Sequence, residues 1–190
     1  MNRRTLLPLL WLLLAASAAA CKQAPVSDAE RELFLRARDL EPFGIKFPRP
    51  ERYERFNKTI YFDGSRELEY EFELPDDAVH ENALYMSVSI TFEKNAADAK
   101  FSQGVEKFGA DTGMKLAGLR LEEREGFFRY GDESSFYVLL KDGEAVGNFF
   151  VTREGAKVYT VILAGVSFDD REMWAGLVTP RLQKFSAHKP

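Results

Sequence analysis

Four carboxylates stand at every second position of one short run: Glu67, Glu69, Glu71 and Glu73 alternate with Leu68, Tyr70, Phe72 and Leu74. Period two is that of a β-strand, so the four acids share one face at steps of about 7 Å. A straight row cannot supply the roughly six to eight converging oxygens that calcium requires. It suits a solvated strand face partly neutralised by Arg or Lys of neighbouring strands. In its functional version it is an electrostatic docking surface for a basic protein partner, weakened by salt.

Other reactive groups are scattered. Of the two histidines, His80 lies in PDDAVHEN and His188 close to the C-terminal Pro190. Zinc needs roughly three or four converging ligands, and neither histidine pairs with another at helical or strand spacing. Asp76, Asp77, His80 and Glu81 crowd one loop that reads as solvated, so no metal is expected. Ser134 and Ser135 in GDESSF lack the glycine frame of a nucleophile elbow. A hydrolase would have to recruit His80 to a serine and a carboxylate. Glu122 and Glu123 are neighbours on a predicted strand and point to opposite faces, which does not suit a paired-carboxylate glycosidase. No GxxxxGK[ST] phosphate loop occurs. These absences predict no catalytic residues and no cofactor. The acidic balance, formally −4, argues against nucleic acid.

The only cysteine, Cys21, follows a segment with its own logic. Arg3 and Arg4 form a cationic head, Leu6 to Leu14 an apolar stretch, and Ala15 to Ala20 a small-residue exit. That is the layout of a secretory signal, with an apolar part too short to span a bilayer. The stretch Ala18-Ala19-Ala20-Cys21 resembles the lipobox of bacterial lipoproteins, although Ala18 stands where the family prefers leucine. Ordinary cleavage into a secreted protein is the alternative. The resemblance implies cleavage before Cys21, diacylglycerol on its sulfur and palmitate-type acyl chains holding the chain to a membrane. It further implies an extracytoplasmic address in the cell envelope: a periplasmic face, or an outer membrane where two membranes exist. The organisation expected is a signal peptide over 1–20, a lipidated cysteine with a short tether over 21–27, and one domain over 28–190. A six-residue tether, KQAPVS, reaches about 20 Å when stretched.

Within the domain, Ser27 and Glu30 form a capping box and predict a helix over 28–40. FGIKFPRP reads as a short strand. The Asp63-Gly64 turn predicts a hairpin joining 58–63 to 66–74, and 84–92 alternates as cleanly. Asn95 caps a helix whose apolar stripe is read as Ala97, Phe101, Val105 and Phe108, punctuated by Gly109 and Gly113. Strands are expected at 116–123, 127–130, 135–141, 145–153 and 157–166. Phe149 and Phe150 predict a sheet covered on both faces at this end. Asp169 with Glu172 opens a last helix, and Thr179-Pro180 is expected to restart it.

This order gives an α+β fold, a central antiparallel sheet flanked by helices. It resembles the PsbP-like α/β/α sandwiches through the FGIKFPRP strand, the β block, the interposed helix, the FYVLLKDGEAVGNFFVTREGAKVYTVILAG meander and the terminal helix. That resemblance implies a binding or assembly protein. A half-barrel with a helical lid, as in lipoprotein carriers of lipid, is the alternative fold, and its hallmark is an apolar cavity. The expected function is a membrane-anchored, non-enzymatic binding or assembly module contacting another envelope protein. Lipid handling is second and hydrolysis third.

Overall fold

A computed structural model describes residues 21–47, 50–74 and 84–189. The segment with Asp76, Asp77, His80 and Glu81, and residues 1–20, where a signal peptide is expected, lie outside the described residues. The fold is α+β, built on one eight-stranded antiparallel sheet. Its strands are β1 (Cys21–Gln23), β2 (Glu54–Tyr61), β3 (Arg66–Glu73), β4 (Tyr85–Phe92), β5 (Arg120–Glu123), β6 (Glu133–Lys141), β7 (Glu144–Glu154) and β8 (Lys157–Ala164). Their order across the sheet is β1-β2-β3-β4-β8-β7-β6-β5. Two meanders therefore meet where β4 pairs antiparallel with β8.

One sheet face carries the main core. Leu68, Tyr70 and Phe72 of β3, Met86, Val88 and Ile90 of β4, and Tyr159, Val161 and Leu163 of β8 are fully buried there. The last helix, α3 (Arg171–Ala187), covers them with Trp174, Leu177, Val178, Leu182 and Phe185. Rings of Phe136, Phe150 and Phe168 meet Trp174 at centroid distances of 5.0, 5.9 and 6.1 Å. The opposite face buries Leu139, Phe149, Val151 and Val158 under α2 (Ala96–Leu116). Phe149 and Phe150 are both wholly buried on opposite faces, as their alternation predicts.

The chain departs from its sequence pattern where tertiary contacts are stronger than local preference. The capping box forms: Ser27 N donates to Glu30 Oε2 at 2.9 Å and Glu30 N to Ser27 Oγ at 3.3 Å. The helix it opens, α1 (Asp28–Arg31), lasts one turn instead of reaching residue 40. Leu33, Phe34 and Leu35 are all buried, which three consecutive residues on an amphipathic helix cannot be. Tyrosine hydroxyls replace the lost helical bonds. Tyr159 accepts from Leu35 N at 3.0 Å and donates to Leu33 O at 3.1 Å, and Tyr70 accepts from Ala37 N at 2.9 Å. A 3₁₀ turn, Ala37–Phe43, follows, and residues 44–47 form no strand. Ion pairs rivet this segment down: Arg36 on Glu54, Arg181 on Asp39 at 2.7 Å, and Lys58 on buried Glu30 at 2.6 Å.

Three further expectations are corrected. Residues 127–130 form no strand. α2 runs through Gly109 and Gly113 to Leu116. α3 continues through Pro180 without a restart, capped by Asp170 Oδ1 accepting from Met173 N at 2.8 Å. An internal proline costs about 3 kcal/mol, which the apolar stripe buried on both sides of it offsets.

Candidate functional site: an acidic groove beside Cys21

The tether is absent as such. Cys21, Lys22 and Gln23 pair with Tyr61, Ile60 and Thr59, so the expected leash is an edge strand of the sheet. Gln23 Nε2 donates to Thr59 Oγ1 at 3.0 Å and Ala24 N to Lys58 O at 3.0 Å, and Val26 is buried just beyond. The register sets Cys21 opposite Tyr61, on the side of the sheet that carries α2.

On that side α2 packs over β7, β8 and β5 and touches β4, leaving the α2-side face of β1, β2 and β3 open beside it. The result is a groove of about 820 Å³ whose walls include Cys21, Tyr61, Phe62, Glu67, Phe101 and Glu106. Its position follows from the way α2 lies down. The helix seats Ala99, Gln103 and Ala110 on the sheet; the two alanines permit a close approach, and Gln103 Nε2 donates to Glu133 O at 3.1 Å. This overturns the stripe read from sequence: Phe101 and Phe108 are 74% and 73% exposed, and Val105 is 52% exposed. The sheet face beneath carries Phe149, Val151 and Val158, which meet Ala99 and Ala110, with Ser89 and Thr160 beside Glu106 toward β4. Phe62, expected inside the hairpin, lies just past the end of β2 and is 92% exposed.

The acid row forms as predicted on β3, with the cations largely missing. Glu67 faces Thr59 and Thr91, Glu69 faces Asn57 and Ser89, and Glu71 faces Arg55 and Ser87 across the ladders. Glu67 accepts from the Tyr61 hydroxyl at 2.7 Å and the Ser89 hydroxyl at 3.2 Å. Burial first, then the negative charges of Glu67 and Glu71, push the Glu69 carboxyl up to about 7. Glu106, reaching in from α2, is likewise pushed up to about 7 by burial and by Glu67 and Glu69. Tyr61 is raised as well, by burial and then by its bond to Glu67. Glu73, at the far end, is exposed. Expected as a row in water, the first three acids are instead half-buried.

Such carboxylates take up protons near neutrality or hold a cation that replaces the proton. Sequence reasoning located Cys21 and the row but missed Glu106, Phe62 and the outward turn of Phe101. The helical spacing of Ala99, Gln103, Glu106 and Ala110 was the available signal.

The remaining candidates stand apart from this constellation. Ser134 Oγ accepts from Tyr130 N at 3.2 Å, and Ser135 is buried. Glu122 pairs with Arg120 and Arg124 at 3.2 and 3.3 Å. His188 ends α3 against the Phe92 ring, 5.4 Å between centroids, with burial and Arg66 holding its pKa down. Among the described residues no group of three or more His, Cys, Asp or Glu is placed to hold a metal ion, and no helix is long and apolar enough to cross a membrane. The chain matches no family model, no curated protein and no solved structure.

Proposed function

We propose that this chain is an envelope lipoprotein, lipidated on Cys21, whose domain is a non-enzymatic binding module for a basic segment of another envelope protein. The observation that carries the reading is a set of half-buried carboxylates: Glu67 and Glu106 line a groove beside Cys21, Glu69 follows Glu67 on the same face of β3, and among the described residues no lysine or arginine is ion-paired to these three. Each raised carboxyl is held up by burial and like charge. An incoming ammonium or guanidinium group relieves both by replacing the proton with a paired cation. A carboxylate and hydroxyl floor suits such a guest better than an acyl chain, which sets lipid carriage behind protein binding. In fold terms the reading favours the PsbP-like α/β/α sandwich over the half-barrel, because α2 and α3 lie on opposite sheet faces.

The partner engages the row from its Glu73 end. From Glu67 to Glu73 the strand extends about 20 Å, and Cys21 lies at the Glu67 end. Site-specific photocrosslinking from position 57 on native membranes, with Glu69→Lys and Glu71→Lys beside it, tests the assignment. Capture of a basic partner, lost in the charge reversals and weakened by salt, is the expected result. Capture unchanged by reversal would remove this surface. Intact mass and membrane fractionation, beside Cys21→Ser, test the anchor separately.

A further inference from the structure

We infer that the outer flank of α2, together with Phe62, docks onto the bilayer surface itself, so that the domain lies against the membrane in one fixed orientation. The inference rests on lipidation of Cys21.

Phe101, Val105 and Phe108 recur at helical spacing on one side of α2, and all three are largely exposed. Phe62 projects from the hairpin tip at the same groove, whose lining also includes Phe101, Val105 and Cys21. These side chains, with Leu116 further along α2, account for all but one of the large exposed apolar groups among the described residues; the other, Met173, belongs to α3. An exposed apolar patch of this kind marks an interaction surface. What covers it follows from Cys21. β1 is hydrogen-bonded into the sheet, so no slack separates the acylated sulfur from the fold. Acyl chains leaving Cys21 enter the bilayer beside Phe62 and Phe101, and the leaflet is the nearest apolar phase to both rings.

The flank carries no surplus of positive charge. Lys94 pairs with Asp63 at 3.1 Å and Lys115 with Asp111 at 2.6 Å, and the groove adjoining the flank is lined by Glu93, Asp98 and Glu106. The contact is therefore apolar, and it forms on uncharged lipid and persists in high salt. This is the behaviour of an interfacial helix that lies in the headgroup region without spanning it.

Cys21 is the only cysteine, and once acylated it leaves an introduced thiol as the sole labelling site. The lipidated full-length product is reconstituted into phosphatidylcholine vesicles, with a nitroxide at Phe62→Cys, Phe101→Cys, Phe108→Cys or, as control, Met173→Cys. Collision with lipid-soluble oxygen and with a water-soluble nickel chelate is then compared. The expected result is an oxygen-to-nickel accessibility ratio several-fold higher at 62, 101 and 108 than at 173, unchanged between low and high salt. All four labels in water on a protein that carries its lipid and stays with the vesicles would overturn the docking and leave the anchor standing. Burial of the labels with spin–spin coupling that grows with protein density assigns the face to a second copy and also overturns it. A protein without added lipid mass fails earlier, at the anchor, and takes the inference with it.

Discussion

Glu106 sits in a groove that disfavours its charge, and replacing it with glutamine makes that measurable. The folded side chain keeps its proton up to about pH 7, whereas its ordinary value is 4.5. Between those values the folded state holds a proton that the unfolded chain has released. Stability therefore falls as pH rises through this window, by the linkage of proton binding to folding. The gap of about 2.5 pH units corresponds to about 3 kcal/mol once both states are ionised. Glu106→Gln removes that loss. It should be nearly isoenergetic with the parent near pH 4.5, more stable by about 2 kcal/mol at pH 6, and by up to about 3 kcal/mol at pH 8. Glu69→Gln should behave alike. The double variant should gain less than the sum, because each charge helps to raise the other's pKa. Urea unfolding of residues 21–190 carrying Cys21→Ser, at three pH values, provides the measurement. A stability difference constant from pH 4.5 to 8, or a destabilised variant at pH 8, refutes the argument. Carboxyl ¹³C titration would then place the Glu106 midpoint near 4.5.

The remaining predictions concern the fold. Tyr159→Phe leaves the buried Leu33 carbonyl and Leu35 amide without their shared partner and should cost about 2–4 kcal/mol in urea unfolding; a loss below about 1 kcal/mol would mean that solvent reaches them. Trp174→Ala empties the centre of the aromatic cluster under α3 and should cost about 3–5 kcal/mol by the same measurement. Gly147→Ala would set a Cβ 2.0 Å from the Leu163 carbonyl oxygen. It should destabilise by about 1–3 kcal/mol and accelerate amide exchange in β7 and β8. Glu32 has the opposite pH sign to Glu106, because its bond to Lys184 holds it down to about 2. Its stabilisation exists above 4.5 and is lost as pH falls toward 2. Since the pair is about half exposed, Lys184→Ala should cost under about 1 kcal/mol at pH 7 and nothing near pH 2.

Strands were legible wherever one face differed chemically from the other. Glu67 to Leu74 and Leu84 to Phe92 alternate without a break, and each residue lies on the face its parity predicts. Phe149 and Phe150 reported a two-sided sheet because no one-sided strand tolerates both. Helices were less legible, and for two different reasons. Residues 32–40 carry a helical pattern but insert between sheet and α3, where hydroxyls of Tyr70 and Tyr159, remote in sequence, supply the backbone partners. α2 has two candidate faces, and hydrophobicity alone selects the wrong one. Its larger side chains stay outside, while Ala99 and Ala110 meet Phe149, Val151 and Val158 of the sheet. The site was legible to the same extent: its row and its cysteine lie on strands or beside a signal-like pattern, whereas Glu106 and the phenylalanines depend on which side α2 lays down.

That dependence gives three-residue β1 unusual weight in the geometry. Side chains alternate across a sheet, so slipping β1 by one residue against β2 would turn Cys21 toward the α3 face. There Leu68 and Ile90 are already buried, and the acyl chains we propose on Cys21 would have no room. In the register observed, the sulfur is on the side of the open groove and the aromatic rim. The bonds that hold it there are few: Gln23 on Thr59, Ala24 on Lys58, and the ladder itself. Thr59→Val removes one of these, at the residue that faces Glu67 across the β2–β3 ladder. If the register of β1 sets the orientation of the domain on its membrane, this substitution should loosen amide protection at Lys22 and Gln23 and broaden the nitroxide signal at position 62, while the global unfolding midpoint stays within about 0.5 kcal/mol of the parent. An unchanged exchange pattern would show that the ladder alone holds β1, and that the side-chain bond contributes nothing to where Cys21 points.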